Sequence, residues 1–396
     1  MRLTVSEQVS FGDSQYGRQL LEDAQDLRPL LERNAPLAEA RGELMPEVME
    51  ALGRIGALKM AAPARWGGLC LSSKLMANVA AELAKGCPST GWIVSIINSC
   101  AWMASKTPPA VQRLLFKNGV PTLCGPNNGA GTLRRDGDGY LVSGKWSYAS
   151  ASHHASWAMV PVTPPDNEPH LAFLPMDAVT LERTWHMAGM KATGSDTVIA
   201  KDVRISADHF CRIADLSQPD PAFSEPTDYW VAFPLLRAKA FGVLIGIAEA
   251  LLEAVIATAA RPIIYTTYQK RLDSPVFQAV IGETSAKIRA ARILMERGTD
   301  INDSTALNRA ILDYQQRTEL RGDGAVMSEL LIMSVDKLMN ICGSSAFSDS
   351  HPAQRYWRDF AVGARHIIFS SEVGYEVAGR ARCNISPNII VLEDWL

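Results

Sequence analysis

The chain has 396 residues, 47% of them apolar and 20% charged, with 28 Gly and 22 Pro. That composition excludes collagen-like, disordered and extended coiled-coil chains and leaves a packed protein of two or three domains. With 39 basic against 42 acidic residues the formal charge is −3, too weak a field to hold nucleic acid or an anionic membrane surface.

Seven cysteines, an odd number with no CxxC pair, argue against a disulfide framework or zinc knuckle and fit reduced thiols in the cytoplasm. The start of the chain has no apolar core with a cleavage site, so no signal peptide is expected. The longest apolar stretch, residues 241–260, carries Glu249 and Glu253, which suits a buried helix rather than a membrane span.

In chain order, residues 15–120 have helical spacing. Leu20, Leu21, Leu27, Leu30 and Leu31 form one stripe, and residues 45–58 repeat it. PARWGG at 63–68 breaks the pattern. Residues 75–84 resume it, and Ser89 or Thr90 is placed to cap a long apolar helix after Pro88. From Pro121 to about Ile213 the pattern is short strands and turns, with Asp136-Gly137-Asp138-Gly139 leading into Tyr140.

A polar linker at 217–227 then leads to helices. Residues 233–260 are apolar nearly all round. Residues 275–296 present Phe277, Val280, Ile281, Ile288, Ala291 and Leu294 on one face. Helices at 305–320 and 325–342, divided by Gly322-Asp323-Gly324, and a last one at 354–380 follow, and long helices of this kind lead to the expectation of an antiparallel four-helix bundle. The end of the chain, from Asn384, reads as an arm. The domains expected are residues 1–120, helical; 121–215, a β-barrel or sandwich; and 216–396, the bundle with its arm.

No GxGxxG after a strand, GxxxxGK[ST], HExxH or GxSxG occurs, so a Rossmann site, P-loop, zinc protease or serine hydrolase is unsupported. Of the seven histidines, His153 and His154 are adjacent and would face opposite sides of a strand, so no metal site is expected. Three segments are richer in chemistry than scaffolding needs: residues 144–157, crowded with aromatics and hydroxyls; the small-residue loop at 185–197; and residues 351–366, whose Arg355 and Asp359 are spaced as a helical ion pair.

In this order the segments resemble the acyl-CoA dehydrogenase superfamily, and within it the reduced-flavin-dependent monooxygenases related to the oxygenase component of p-hydroxyphenylacetate hydroxylase. The resemblance runs from about residue 20 to 380. It implies an α+β fold of N-terminal helical domain, middle β domain and C-terminal four-helix bundle, assembled as a homotetramer with flavin between the last two.

Residue by residue it implies the following. Cys124 and Gly125 line the flavin. Tyr148 and Ser150 stand in the dehydrogenases' Trp-Ile-Thr stretch, which places Ser150 at flavin N5. Thr193, Gly194 and Ser195 match a G-M-x-x-T-G-S stretch beside the cofactor. The dehydrogenases' catalytic glutamate has no counterpart, since Ile368 stands near its place, although Glu372 lies one turn on. His366 is offered instead, as in the hydroxylases.

The expected function is therefore a two-component monooxygenase. FADH2 or FMNH2 from a separate NAD(P)H-flavin reductase reacts with O2, through a C4a-hydroperoxide, to hydroxylate an aromatic or polycyclic small molecule. N- or S-oxygenation and FAD-dependent acyl-CoA dehydrogenation are the alternatives. His366 and Ser150 are the expected catalytic residues, and Trp92, Ser99 and Arg237 the expected substrate contacts. The helix that presents a histidine to phenols in the hydroxylases has none here.

Overall fold

The computed structural model describes residues 15–126, 128–164, 168–216 and 225–386, with the side chains of 232–237 set aside. The expected arm from Asn384 lies mostly outside the described residues, as do most of the linker and the side chain of Arg237.

Helices α1 (Gln15–Asp26), α2 (Arg28–Arg41) and α3 (Pro46–Arg54) pack with α4 (Ser73–Gly86) and α5 (Pro88–Ala104), and α6 (Pro109–Phe116) leads to the sheets. Their leucine stripe is the core of this section: Leu20, Leu31, Val48 and Leu52 meet Met76, Val79 and Leu83. Helix α5 begins differently from expectation. Pro88 is its first residue and Cys87 its N-cap, with no side-chain cap. The rigid proline sits where a helix needs no N–H donor, so neither Ser89 nor Thr90 caps it.

Strands β1 (Leu123–Cys124), β4 (Trp157–Val162), β5 (His170–Pro175) and β8 (Phe210–Arg212) form one four-stranded sheet, in the order β1-β4-β5-β8. Strands β2 (Asn128–Asp136), β3 (Gly139–Ala149), β7 (Asp196–Ile205) and β6 (Thr180–Glu182) form the other, in the order β2-β3-β7-β6. The Asp-Gly turn joins β2 to β3, pairing Asp136 with Gly139. Leu133, Val142, Trp146, Val160, Leu174 and Val198 fill the space between the sheets.

The C-terminal helices are α7 (Ala232–Ile256), α8 (Pro275–Leu307), α9 (Tyr314–Cys342), α10 (Pro352–Gly363) and α11 (Ser371–Arg382). Two boundaries differ from those read in the sequence. Gly322 and Gly324 lie inside α9, whose start is set instead by a capping box of Asp313 and Gln316. The last expected helix is broken: α10 ends at Gly363, and a 3-10 turn over Ile367–Phe369 intervenes before α11. Among the described residues no helix is long and apolar enough to cross a membrane.

The all-round apolar character of α7 has its explanation in packing. It runs against α4 so closely that a Cβ on Gly242 would lie 2.1 Å from the Ala77 carbonyl oxygen, and one on Gly246 2.1 Å from that of Ala81. Gly246→Ala therefore forces the two helices apart and costs about 1–3 kcal/mol, read as a lower denaturation midpoint; an unchanged midpoint contradicts this packing.

Candidate active site

Ser150 sits in a short turn after β3 between two residues in the left-handed region, Tyr148 at φ 63° and Ala151 at φ 69°. For residues with a Cβ this conformation costs on the order of 1 kcal/mol each, and such strain concentrates at functional sites. The turn is stitched to residues 193–195: the Ala151 amide donates to the Thr193 carbonyl at 3.0 Å, and the Ser152 hydroxyl donates to the Gly194 carbonyl at 2.9 Å. Ser150 Oγ lies 2.7 Å from Ser195 Oγ, which lies 2.7 Å from Thr193 Oγ1.

The 185–197 loop is anchored at both ends. Asp196 accepts from the amides of Thr184 (2.8 Å) and Trp185 (2.9 Å) and from His153 Nε2 at 2.6 Å. Burial pushes this carboxyl up, but the His153 bond and the two amides outweigh burial and leave it below its ordinary pKa. His153 and His154 lie on a 3-10 turn rather than a strand, and His154 Nε2 accepts the Leu44 amide.

At the far side, the Met190 amide donates to Asp359 of α10 at 2.5 Å. Burial pushes the Asp359 carboxyl up to about 7. The expected Arg355–Asp359 pair is not formed among the described residues: Asp359 turns to the loop amide, and Arg355 lies beside the Tyr356 ring. Gly189 must be glycine, since a Cβ there would lie 2.2 Å from the Arg358 carbonyl oxygen.

His366 stands at the start of the 3-10 turn after α10. Its Nδ1 accepts the Ile368 amide at 3.3 Å, which places the hydrogen of the neutral ring on Nε2. The ring edge is open to solvent, but the surrounding protein desolvates its cation and holds its pKa below the ordinary value. Arg321, buried on α9, donates to the carbonyls of Ile368 (2.6 Å) and Ile367 (3.5 Å) and so fixes the turn.

Trp92 joins the two halves. Its ring is 5.7 Å from the His366 ring and 6.4 Å from that of Phe369, while its indole N–H donates to Ser150 Oγ at 3.4 Å. Phe369 in turn packs edge-on against Phe241 of α7 at 4.7 Å. Beyond Phe241 is a mainly apolar hollow lined by Ala238, Leu294, Met295, Leu320 and Met327.

Of the residues singled out in the sequence, Ser150, His366, Trp92, Thr193 and Ser195 thus form one connected cluster. Gly194 is buried beside His153, in the left-handed region at φ 51°. Tyr148 is exposed and packs edge-on against Trp185. Ser99 is buried on α5 and donates to the Ser95 carbonyl. The Cys124 side chain lies wholly inside the β core against Met176, which leaves its backbone as the part to approach a ligand. At Gly125 a Cβ would come within 2.8 Å of Cys100 Sγ. Glu372, the carboxylate weighed for dehydrogenation, is exposed and turned to Ser370 at the start of α11.

Sequence reasoning missed Arg321, Phe369 and Lys239 of α7, a lysine 1% exposed whose amine has no hydrogen-bond partner among the described residues. Nothing local in the sequence marks a buried cation. Among the described residues no group of three or more His, Cys, Asp and Glu is placed to hold a metal.

Two family models match the chain: the N-terminal domain of acyl-CoA dehydrogenase over residues 24–113 and the C-terminal domain over residues 240–371. The oxygenase subunit HsaA of a flavin-dependent monooxygenase from Mycobacterium tuberculosis is 27% identical over 376 residues, 91% of this chain and 94% of that protein. The oxygenase component of p-hydroxyphenylacetate 3-hydroxylase from Acinetobacter baumannii is 23% identical over 383 residues, 94% of this chain and 90% of that protein. Among solved structures, XiaF from Streptomyces sp., in complex with FADH2 and glycerol, is 27% identical with a TM-score of 0.90, covering 95% of this chain and 98% of that one.

Proposed function

Because the chain belongs to the acyl-CoA dehydrogenase family, and its long-range relatives are oxygenase components, we propose that it is the oxygenase component of a two-component flavin-dependent monooxygenase acting on an aromatic small molecule. The observation that carries the reading is the contact of Trp92 with both Ser150 and His366. It joins the helical section, the sheet section and the bundle at a hydroxyl and a neutral imidazole, with no carboxylate base in the contact.

The residues fit a flavin. Ser150 offers an oxygen at the edge of the site, beside the backbone of residues 193 and 194 to which its turn is hydrogen-bonded. Backbone of Cys124 and Gly125, the Ser150 turn and Thr193–Ser195 would hold the ring. When bound, reduced flavin supplies the electrons for activating dioxygen. Ser150 Oγ would accept the hydrogen bond of N5 and so keep a proton there. His366, with its hydrogen on Nε2, donates to an oxygen opposite it or relays a substrate proton. Trp92, Phe241 and Phe369 make an apolar wall that keeps water from the reacting atoms.

The reduced flavin is delivered by a separate NAD(P)H-dependent reductase, and the enzyme works in the cytoplasm as a homotetramer. Exposed Ile264, Tyr265, Leu272 and Val276 supply apolar surface for subunit packing. Ser99 and Arg237 remain proposed substrate contacts with Trp92. Anaerobic titration with reduced FAD and reduced FMN tests the function: saturable binding of at least one is expected, and binding of neither rejects it.

A further inference from the structure

The hydroxyl of Ser150 has a direction as well as a position. Thr193 has one hydroxyl hydrogen, and the Met190 carbonyl, 2.8 Å away, takes it, because a carbonyl oxygen accepts and never donates. Ser195 Oγ, 2.7 Å from Thr193 Oγ1, therefore meets an acceptor there and donates to it. With its hydrogen engaged, Ser195 can only accept from Ser150, 2.7 Å away. The Trp92 indole N–H, a donor only, reaches Ser150 Oγ from the other side at 3.4 Å and agrees with that polarity.

The hydrogens thus all run one way: from Trp92 to Ser150, to Ser195, to Thr193 and on to the Met190 carbonyl. Thr193 and Ser195 are 2% and 3% exposed, so water does not easily supply alternative partners, and an unmatched polar contact there is costly. Ser150 is left with a lone pair and no hydrogen for whatever lies opposite it.

We infer that Thr193 and Ser195 are positioning residues that hold Ser150 as an acceptor, and that this makes the site select reduced flavin, whose N5 carries a hydrogen, over oxidised flavin, whose N5 presents only a lone pair. The inference rests on the flavin-binding function proposed above. The polarity favours uptake of reduced cofactor and release of oxidised cofactor, as a protein supplied by a separate reductase requires.

Its consequence is a ratio of affinities. One matched hydrogen bond against two opposed lone pairs amounts to about 10–100-fold. FAD and FMN in both redox states are titrated into the unaltered protein, Thr193→Val, Thr193→Ser and Ser195→Ala, and the midpoint potential of the bound flavin is measured. The unaltered protein should bind the reduced form about 10–100-fold more tightly. In Thr193→Val or Ser195→Ala the serine chain is free to turn round. The preference should fall about tenfold and the bound potential by about 30 mV for this two-electron couple. Thr193→Ser, which keeps the hydroxyl, should retain both.

An unchanged ratio in Val and Ala, equal weakening of both redox forms, or loss of the preference in Thr193→Ser overturns the inference. If one of the first two variants fails to fold, the other decides. Failure of the unaltered protein to bind either flavin rejects the function itself, whereas bound flavin with an unchanged ratio rejects only the polarity.

Discussion

Ser150→Ala releases hydrogen peroxide from reduced flavin and O2 about 10–100-fold faster than the unaltered protein does, as read by a peroxidase-coupled assay. Ser150 Oγ is held between the Trp92 indole and Ser195, and on the proposed function its remaining lone pair would be the group offered to N5. Losing a hydrogen bond to a half-buried group costs about 1–3 kcal/mol, which corresponds to that range of rates. Without that acceptor a proton on N5 would be free to leave, and oxygen chemistry would end in peroxide instead of product. His366→Ala should act in the same direction, since it removes the Nε2 donor while Arg321 still holds the turn. Peroxide release unchanged in Ser150→Ala would show that this serine does not touch the cofactor.

Lys239→Met stabilises the protein, and the gain depends on pH. Burial drops the Lys239 pKa from 10.5 to about 7, against an opposing electrostatic effect of Cys100 that is the smaller of the two. Burial pushes the Cys100 thiol itself up to about 12, so it stays neutral. Between pH 7 and 10 the unfolded chain keeps a proton on this lysine that the folded chain has lost. Stability therefore rises with pH across that window and is flat, on this account, below it.

At pH 7 the penalty is on the order of 4 kcal/mol, taking about 1.4 kcal/mol per pH unit. Replacing the amine by an apolar side chain of similar length removes the penalty and the slope together. Denaturant unfolding of both proteins at several pH values between 7 and 9.5 reads the difference. A variant less stable than the parent at pH 7, or one whose advantage does not shrink as pH rises, contradicts the burial of an amine that has no hydrogen-bond partner among the described residues.

Much of the fold could be read in advance because its signals are local. The leucine stripe of Leu20, Leu27 and Leu31, the Asp-Gly turn between β2 and β3, and the strand-rich stretch between two helical ones each follow from spacing within a few residues. Local reasoning failed where a longer-range or subtler preference decided. Gly322 and Gly324 are tolerated inside α9 because the Asp313–Gln316 box fixes its start. The break after Gly363 follows from the 3-10 turn that Arg321 holds by its carbonyl bonds.

The same division runs through the site. The segments around Ser150, Thr193–Ser195 and His366 stand out by composition and by family resemblance. Their connection through Trp92, and the inward turn of the Cys124 side chain, depend on the packing of α5 against the sheets and bundle. Lys239 and Arg321 are ordinary basic residues in sequence, and only the surrounding helices make them buried.

The most direct measurement is stopped-flow spectroscopy of the protein, loaded anaerobically with reduced FAD or reduced FMN and then mixed with O2. The account predicts a long-lived absorbing species, distinct from both reduced and oxidised flavin, that decays markedly faster in Ser150→Ala. Direct conversion to oxidised flavin with both cofactors, at the rate of flavin free in solution, would contradict it.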